Sequence, residues 1–162
     1  MGRPTSGLIG VKAGVISRMN LDITPARQSG IGSCAQVFTD FPVGHNVYFT
    51  TAFDFYYVAF GGANQIMIEP SAGVKRAFPL SRARMLITPG VAVGFAYLSH
   101  VGDVPPSRFL GLKLFVEAHF TIDARRAWVG ELALFDAPTG SNSNGHLSFG
   151  PGVMLRWGVA FR

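Results

Sequence analysis

Three properties of the sequence predict an all-β fold, an eight-stranded antiparallel up-and-down β-barrel that crosses a membrane. First, the 162-residue chain is 48% hydrophobic and only 14% charged, whereas a soluble domain carries about 25% charged residues. Second, it lacks a run of about 18 apolar residues, which excludes a transmembrane helix. Third, apolar and polar residues alternate along most of the chain, which is the pattern of strands. The length suits one domain that covers residues 1–162.

Eight segments carry this alternation, and most are long enough to cross a bilayer at a tilt, which takes about 9–11 residues. The second segment is the weakest, and its pattern does not decide which of its two faces points inward. In chain order the segments are 8–18, 30–41, 46–59, 65–78, 84–98, 108–122, 128–134 and 146–161.

The composition of the two faces predicts which one lines the interior. One face is almost uniformly large and apolar, as contact with lipid requires. The other face consists mainly of Gly, Ala, Ser and Thr with about one charge per strand, and small residues suit the interior of a narrow barrel. A water-soluble barrel of the lipocalin type would instead carry an exterior rich in Lys, Glu and Asp, which this sequence lacks.

The charges on the small-residue face predict a network of ion pairs inside the barrel. An unpaired buried charge costs several kcal/mol, and here four cations can neutralise four anions in a confined space. His119 shares its face with Glu117, and we interpret this pair as part of the network rather than as an acid–base pair open to a substrate. The eight charged residues are Lys12, Asp54, Glu69, Lys75, Lys113, Glu117, Glu131 and Arg156.

The connections between segments predict the orientation of the barrel. Longer polar stretches at 19–29, 99–107 and 137–145 alternate with short links around 42–45, 80–82 and 124–126, whereas the link 61–64 is short where a long one is expected. Small outer-membrane barrels have short periplasmic turns and longer outer loops. With both termini periplasmic, two aromatic girdles are expected, which comprise Phe78, Phe120, Trp128, Trp157 and Phe161 at the periplasmic rim and Tyr57 and Tyr97 at the outer rim.

Three prolines fall inside the predicted strands. Pro70, Pro89 and Pro151 cannot donate a backbone hydrogen bond to a neighbouring strand. Because a closed barrel has no edge strand to accommodate a proline, we expect a β-bulge at each of the three positions.

Four segments resemble the porin-like outer-membrane β-barrel domain family, the small barrels of the OmpA/OmpX type. They read IGVKAGVISRMN, QIMIEPSAGVKRAFPL, ITPGVAVGF and GPGVMLRWGVAFR. The resemblance spans nearly the whole chain and implies a location in the bacterial outer membrane, contact with its lipids and lipopolysaccharide, and insertion by the barrel-assembly machinery. Since the sequence from Met1 starts without an apolar leader, we expect a signal peptide to have been removed.

Three functions remain open at this point. The first is a non-catalytic scaffold that binds an envelope protein or a surface molecule. The second is a lipid-active hydrolase, because His146 and Ser148 resemble the His-x-Ser of outer-membrane lipid A deacylases; no acidic residue follows Asp136, so the triad is incomplete. The third is a narrow pore, although eight strands leave an interior just wide enough for side chains to fill.

The sequence also predicts that several kinds of site are absent. Cys34 is the only cysteine, which excludes an internal disulfide, and no Cys/His spacing suggests a metal. We therefore expect neither a cofactor nor a metal. The basic residues form no dense run, so we expect no nucleic-acid partner.

Overall fold

A computed structural model describes the backbone of residues 7–23, 26–60, 63–80, 84–99, 106–142 and 145–162. Side chains are described in the same ranges except at 18–29, 60, 63, 142 and 145–149. The strands are β1 (Leu8–Ile23), β2 (Ala26–Gly44), β3 (Val47–Phe60), β4 (Ala63–Arg76), β5 (Phe78–Leu80), β6 (Met85–Leu98), β7 (Ser107–Thr121), β8 (Arg126–Asn142) and β9 (Gly145–Phe161).

The strands close into an antiparallel barrel, which confirms the predicted fold class. Each strand pairs with the next one in the chain, except that β4 and β5 both pair with β6, and β9 pairs back with β1. The short β5 continues β4 along β6. Lys75 of β4 pairs with Gly90, and Phe78 of β5 pairs with Ile87 in the same register. The barrel wall therefore has eight positions, with β4 and β5 sharing the fourth, and closure removes the free edges of an open sheet. Among the described residues, no helix is long and apolar enough to cross a membrane.

Alternation along each strand separates an apolar outside from a mixed inside, as β7 illustrates. Leu110, Leu112, Leu114 and Val116 are 41–59% exposed, and the residues between them are buried. The same pattern resolves the orientation of β2, which the sequence left open. Its buried positions are Cys34, Gln36, Phe38 and Asp40.

The outer connections are shorter than predicted. The stretches 19–29 and 137–145 were expected to be loops, but β1 and β2 stay paired as far as Ile23 and Ala26, and β8 and β9 as far as Asn142 and Gly145. Paired strands satisfy backbone hydrogen bonds whatever their side chains are, so these polar stretches continue as strands although their side chains lack the apolar alternation. Part of the third predicted loop, 100–105, lies outside the described residues.

The prolines confirm one predicted bulge and contradict two. Beside Pro151 the register of β8 and β9 shifts between Phe135 and Ala137, as a bulge requires. Pro70 and Pro89 pair in unbroken register with β3 and β7, respectively. These two prolines instead lie in gaps of the β4–β6 ladder, where the pairing resumes without an inserted residue. Each proline lacks an N–H, and the structure accommodates this by leaving ladder positions unpaired.

Candidate functional site

All eight charged residues predicted for the interior lie inside the barrel, each at most 3% exposed. Strand register places like charges directly opposite each other at two positions. Glu117 of β7 pairs with Glu131 of β8, and Asp54 of β3 pairs with Glu69 of β4. Directly opposed like charges destabilise a sheet, so each carboxylate pair needs a cation from elsewhere in the barrel.

A lysine from another part of the wall neutralises each opposed pair. Lys12 of β1 contacts both Glu117, at 2.5 Å from Nζ to Oε1, and Glu131. Lys113 of β7 contacts Asp54 at 2.5 Å and Glu69 at 3.0 Å, in both cases from Nζ to a carboxylate oxygen. These contacts cross the lumen, so they tie strands together that are not neighbours in the wall.

Two further cations join the separate pairs into one chain of contacts. Arg156 contacts both Glu131 and Asp54. The Nζ of Lys75 lies 2.5 Å from Glu117 Oε2 and 2.7 Å from Asp40 Oδ2. Carboxylates and cations alternate along this ion-pair network, which runs Asp40, Lys75, Glu117, Lys12, Glu131, Arg156, Asp54, Lys113, Glu69.

Asp40 is the member of the network that sequence reasoning missed. It is fully buried, but it belongs to the strand whose orientation was left open. The aromatic Phe38 lies on the same face of β2 as Asp40. This face therefore did not show the small and polar composition that identified the inner face of the other strands. The outward series Ile31, Val37 and Phe41 is the signal that identifies the other face as internal.

Other polar and aromatic side chains complete the surroundings of the network. Gln36 Nε2 donates to Asp54 Oδ1 at 2.9 Å, and Tyr56 Oη donates to Glu69 Oε2 at 2.6 Å. His119 Nε2 lies 3.0 Å from Glu117 Oε2, so the predicted pair of these residues is in contact with the network. The ring of Phe38 lies 4.5 Å from Lys12 Nζ, within the range of a cation–π interaction.

Two facing glycines make room for the last carboxylate of the network. Gly94 of β6 pairs with Gly111 of β7. A Cβ atom at these positions would lie 2.5 Å and 2.4 Å, respectively, from Glu69 Oε1. That oxygen has no hydrogen-bond partner among the described residues, and the same holds for Asp40 Oδ1 at the other end of the network.

Apolar side chains fill the interior on the outer side of the network. We call this set the apolar plug, and all its members are at most 2% exposed. A water-filled channel would expose the side chains that line it, and these side chains are inaccessible to water. The plug comprises Ile16, Val58, Met67, Leu98, Phe109, Phe135 and Met154.

The opposite, turn-side mouth contains a small cavity of about 20 Å³. Asp40, Lys75, Tyr48, His119 and Arg162 are among the residues that line it. A volume of this size holds about one water molecule. The charged network is thus covered on one side by the plug and borders a water-sized space on the other.

The other residues singled out in the sequence lie away from the network. The seven predicted girdle residues, Tyr57, Phe78, Tyr97, Phe120, Trp128, Trp157 and Phe161, are all exposed on the outside of the wall. The side chains of His146 and Ser148 lie outside the described residues. Their backbone positions are described, and Ser148 pairs with Asp22 of β1.

A closed barrel with an apolar outer wall and ion-paired interior defines the class of small membrane-spanning β-barrels. Neisserial surface protein A shares this fold with a TM-score of 0.67 at 10% identity, over 94% of this chain and 96% of that one. OprG from Pseudomonas aeruginosa gives a TM-score of 0.62 at 7% identity, over 97% and 96%. A major outer membrane protein from Thermus thermophilus gives 0.57 at 17% identity, over 97% and 99%.

These structural similarities establish the fold alone, because sequence identities this low are not evidence of a shared function. No protein-family model matches the chain, and no curated protein sequence matches it. The fold expected from the resemblance to small OmpA/OmpX-type barrels is therefore confirmed through structure rather than through sequence.

Proposed function

We propose that this protein is a non-catalytic scaffold of the bacterial outer membrane, which presents its outer hairpins to an envelope protein or a surface molecule. The observation that carries the proposal is the closed interior. Every charged side chain of the network contacts an opposite charge inside the barrel, and the apolar plug fills the layer above it. A protein with such an interior acts through its surfaces.

The outside of the barrel supports the location. Large apolar side chains face outward on every part of the wall, among them Val11, Phe53, Val93, Leu114 and Leu155. Exposed apolar area on this scale is unfavourable in water and matches the hydrocarbon of a bilayer. The solved structures that share the fold include outer membrane proteins by name, which favours the same membrane here.

The outer hairpins supply the presenting surface. β2 pairs with β3 only as far as Gly30 and Phe60, but it pairs with β1 down to Ala26. The β1–β2 hairpin therefore extends beyond the end of β3 on the side opposite the short turns. Loops and hairpins held by a rigid wall are common positions for binding residues.

Planar-bilayer recordings test the closed interior. The purified protein is expected to insert without a steady conductance, with a general porin reconstituted in the same way as the positive control. A steady current through the inserted protein would refute the scaffold proposal in favour of a narrow pore.

A shortened hairpin tests the presenting surface. Replacing residues 20–29 by Asn-Gly joins Met19 to Gly30, which already pair, through a turn suited to two-residue hairpins. Cells with this variant are expected to keep the folded barrel and lose binding to the surface molecule or envelope protein. Unchanged binding would exclude this hairpin as the presenting surface.

Strand register favours one second candidate, a lipid-active hydrolase. The sequence offered His146 and Ser148 without an acid, and the β1–β9 ladder places Asp22 directly opposite Ser148. This backbone pairing supplies an acidic residue next to the serine in the wall. Mass spectrometry of lipid A from expressing cells separates the candidates. A modification lost in Ser148→Ala and kept in Ser33→Ala, which changes an exposed serine of β2, supports the hydrolase, and unmodified lipid A supports the scaffold.

A further inference from the structure

A shallow apolar groove of about 680 Å³ crosses the outside of the wall over β4, β6, β7 and β8. Its middle is a row of outward branched side chains joined across the strands, since Val74 pairs with Val91, Val91 with Leu114, and Leu114 with Leu134. This volume falls within the range of about 300–1,000 Å³ that is usual for small-molecule sites.

The groove has a structural cause in the wall itself. Pro89 and Gly90 lie in its floor, where the β4–β6 ladder is unpaired between Lys75–Gly90 and Phe78–Ile87. Gly90 faces inward, where a Cβ would meet the ring of Phe115. The outward residue in the floor is Pro89, whose compact ring projects less than the valines and leucines around it.

One end of the groove carries a positive charge. Arg76 lines the groove and faces outward, and its guanidinium lies 5.3 Å from the ring centroid of Phe78. Within the described part of the chain, no carboxylate pairs with it. Arg76 pairs in the ladder with Val47, the first residue after the short β2–β3 turn, so it lies near the end of the wall, at the height of a lipid headgroup.

We propose that this groove is a binding site for one anionic glycerophospholipid, with its acyl chain along the apolar row and its phosphate on Arg76. A guanidinium binds phosphate through paired, charge-assisted hydrogen bonds. The apolar row suits an acyl chain, because a hydrocarbon chain needs no polar partner. The charge at one end and the hydrocarbon surface at the other match the two parts of a phospholipid, and this match gives the site its orientation. The inference rests on the membrane location in the proposed function.

Native mass spectrometry of the purified, delipidated protein tests the site. The protein is titrated with phosphatidylglycerol and, separately, with phosphatidylcholine of the same acyl chains. We expect one phosphatidylglycerol to be retained about tenfold more strongly than phosphatidylcholine, because its headgroup has a net negative charge and no choline that competes with Arg76 for the phosphate.

Two pairs of variants assign the binding to the groove. Arg76→Gln is expected to abolish the preference for phosphatidylglycerol, whereas Arg108→Gln, which removes an outward arginine outside the groove, leaves it unchanged. Val91→Phe fills the apolar row and weakens retention of both lipids. Val93→Phe adds the same ring to the outward face of the same strand, outside the groove, and leaves retention unchanged.

Several results would overturn the inference. Equal retention by all variants would mean that the lipid is bulk annular lipid only. A dimer that Val91→Phe dissociates would mean that a second copy of the chain occupies the groove. Failure of the protein to insert into bilayers would instead refute the proposed membrane location, so the two failures are distinguishable.

Discussion

The ion-pair network and the apolar plug fill neighbouring layers of the same lumen by different physical means. In the plug, burial of apolar area is non-directional, so a side chain of similar volume substitutes for another at low cost. In the network, each carboxylate was removed from water and depends on particular cations. Two of these dependencies arise from strand register, which places Glu117 beside Glu131 and Asp54 beside Glu69. Removal of a single charge is therefore more damaging in this barrel than removal of a comparable apolar volume.

The largest effect is expected for Glu117→Gln, which keeps the shape of the side chain and removes its charge. Glu117 contacts both Lys12 and Lys75, so the change removes one of the two carboxylate partners of each buried lysine. We expect a loss of about 3–5 kcal/mol of the free energy of unfolding, measured by denaturant titration in lipid vesicles. A loss below about 1 kcal/mol would show that one carboxylate is sufficient for each of the two lysines.

A charge on the outer wall tests the opposite face of β7. Leu114 is 59% exposed on the outside, and Leu114→Arg is expected to cost about 2–4 kcal/mol if it lies near the bilayer midplane. The measurement is the same vesicle titration, with Leu114→Ile as a control that keeps the apolar volume. Stability unchanged in the arginine variant would contradict a lipid-facing position.

A pair of glycine variants tests how tightly the network is packed. In Gly111→Ala the new methyl group would lie 2.4 Å from Glu69 Oε1, whereas a Cβ at Gly130 meets nothing within 4 Å. We expect Gly111→Ala to cost about 1–3 kcal/mol, as overpacking does, and Gly130→Ala to leave stability unchanged or slightly raised. Equal effects of the two variants would show that Glu69 moves aside freely.

The plug is expected to tolerate a change of shape. Phe135 is fully buried, and Phe135→Leu keeps an apolar side chain of somewhat smaller volume. We expect it to cost less than about 1.5 kcal/mol, well below the effect of Glu117→Gln under identical conditions. If the order of the two effects is reversed, the contrast between plug and network is wrong.

The smallest effect is expected for an ion pair in water. Asp123, in the exposed turn before β8, accepts from the backbone N–H groups of Arg125 and Arg126 at 2.8 Å and pairs with the Arg126 guanidinium. These contacts hold the pKa of the Asp123 carboxyl below its ordinary value. Because the folded pKa is the lower one, this contribution to stability is present above the unfolded pKa and is lost as the pH falls through the folded value.

The pH dependence of Asp123 is measurable by following its carboxyl resonance in an NMR titration. In the native protein, the midpoint of the Asp123 titration should lie below the ordinary aspartate pKa. In Arg126→Gln, the midpoint should rise toward that ordinary value, because the contact with the guanidinium is lost. Vesicle titrations of Asp123→Asn near neutral pH should show a change close to the limit of detection, since exposed pairs contribute little. A large loss of stability would mean that exposed and buried ion pairs differ less in their contribution to the free energy of unfolding than we infer.

Much of this protein follows from its sequence, because alternation with a period of two assigns each residue of a strand to one face. The apolar outside, the eight positions in the wall and the inward placement of residues such as Lys12 and Glu131 needed only that pattern and the requirement that lipid meets hydrocarbon. The pattern failed on β2, where Phe38 faces inward beside Asp40, and it could not show that the polar ends of β1 and β8 remain strands.

Only the tertiary structure decided which charges meet. Register between strands is set by turns and by the whole closed barrel, and it placed Glu117 opposite Glu131 and required Lys12 to reach them across the lumen. The sequence shows that Pro89 cannot donate to a ladder, but the choice between a bulge and an unpaired gap depended on how the neighbouring strands closed around it. Local pattern thus determines the face on which a residue lies, and long-range closure determines its partners.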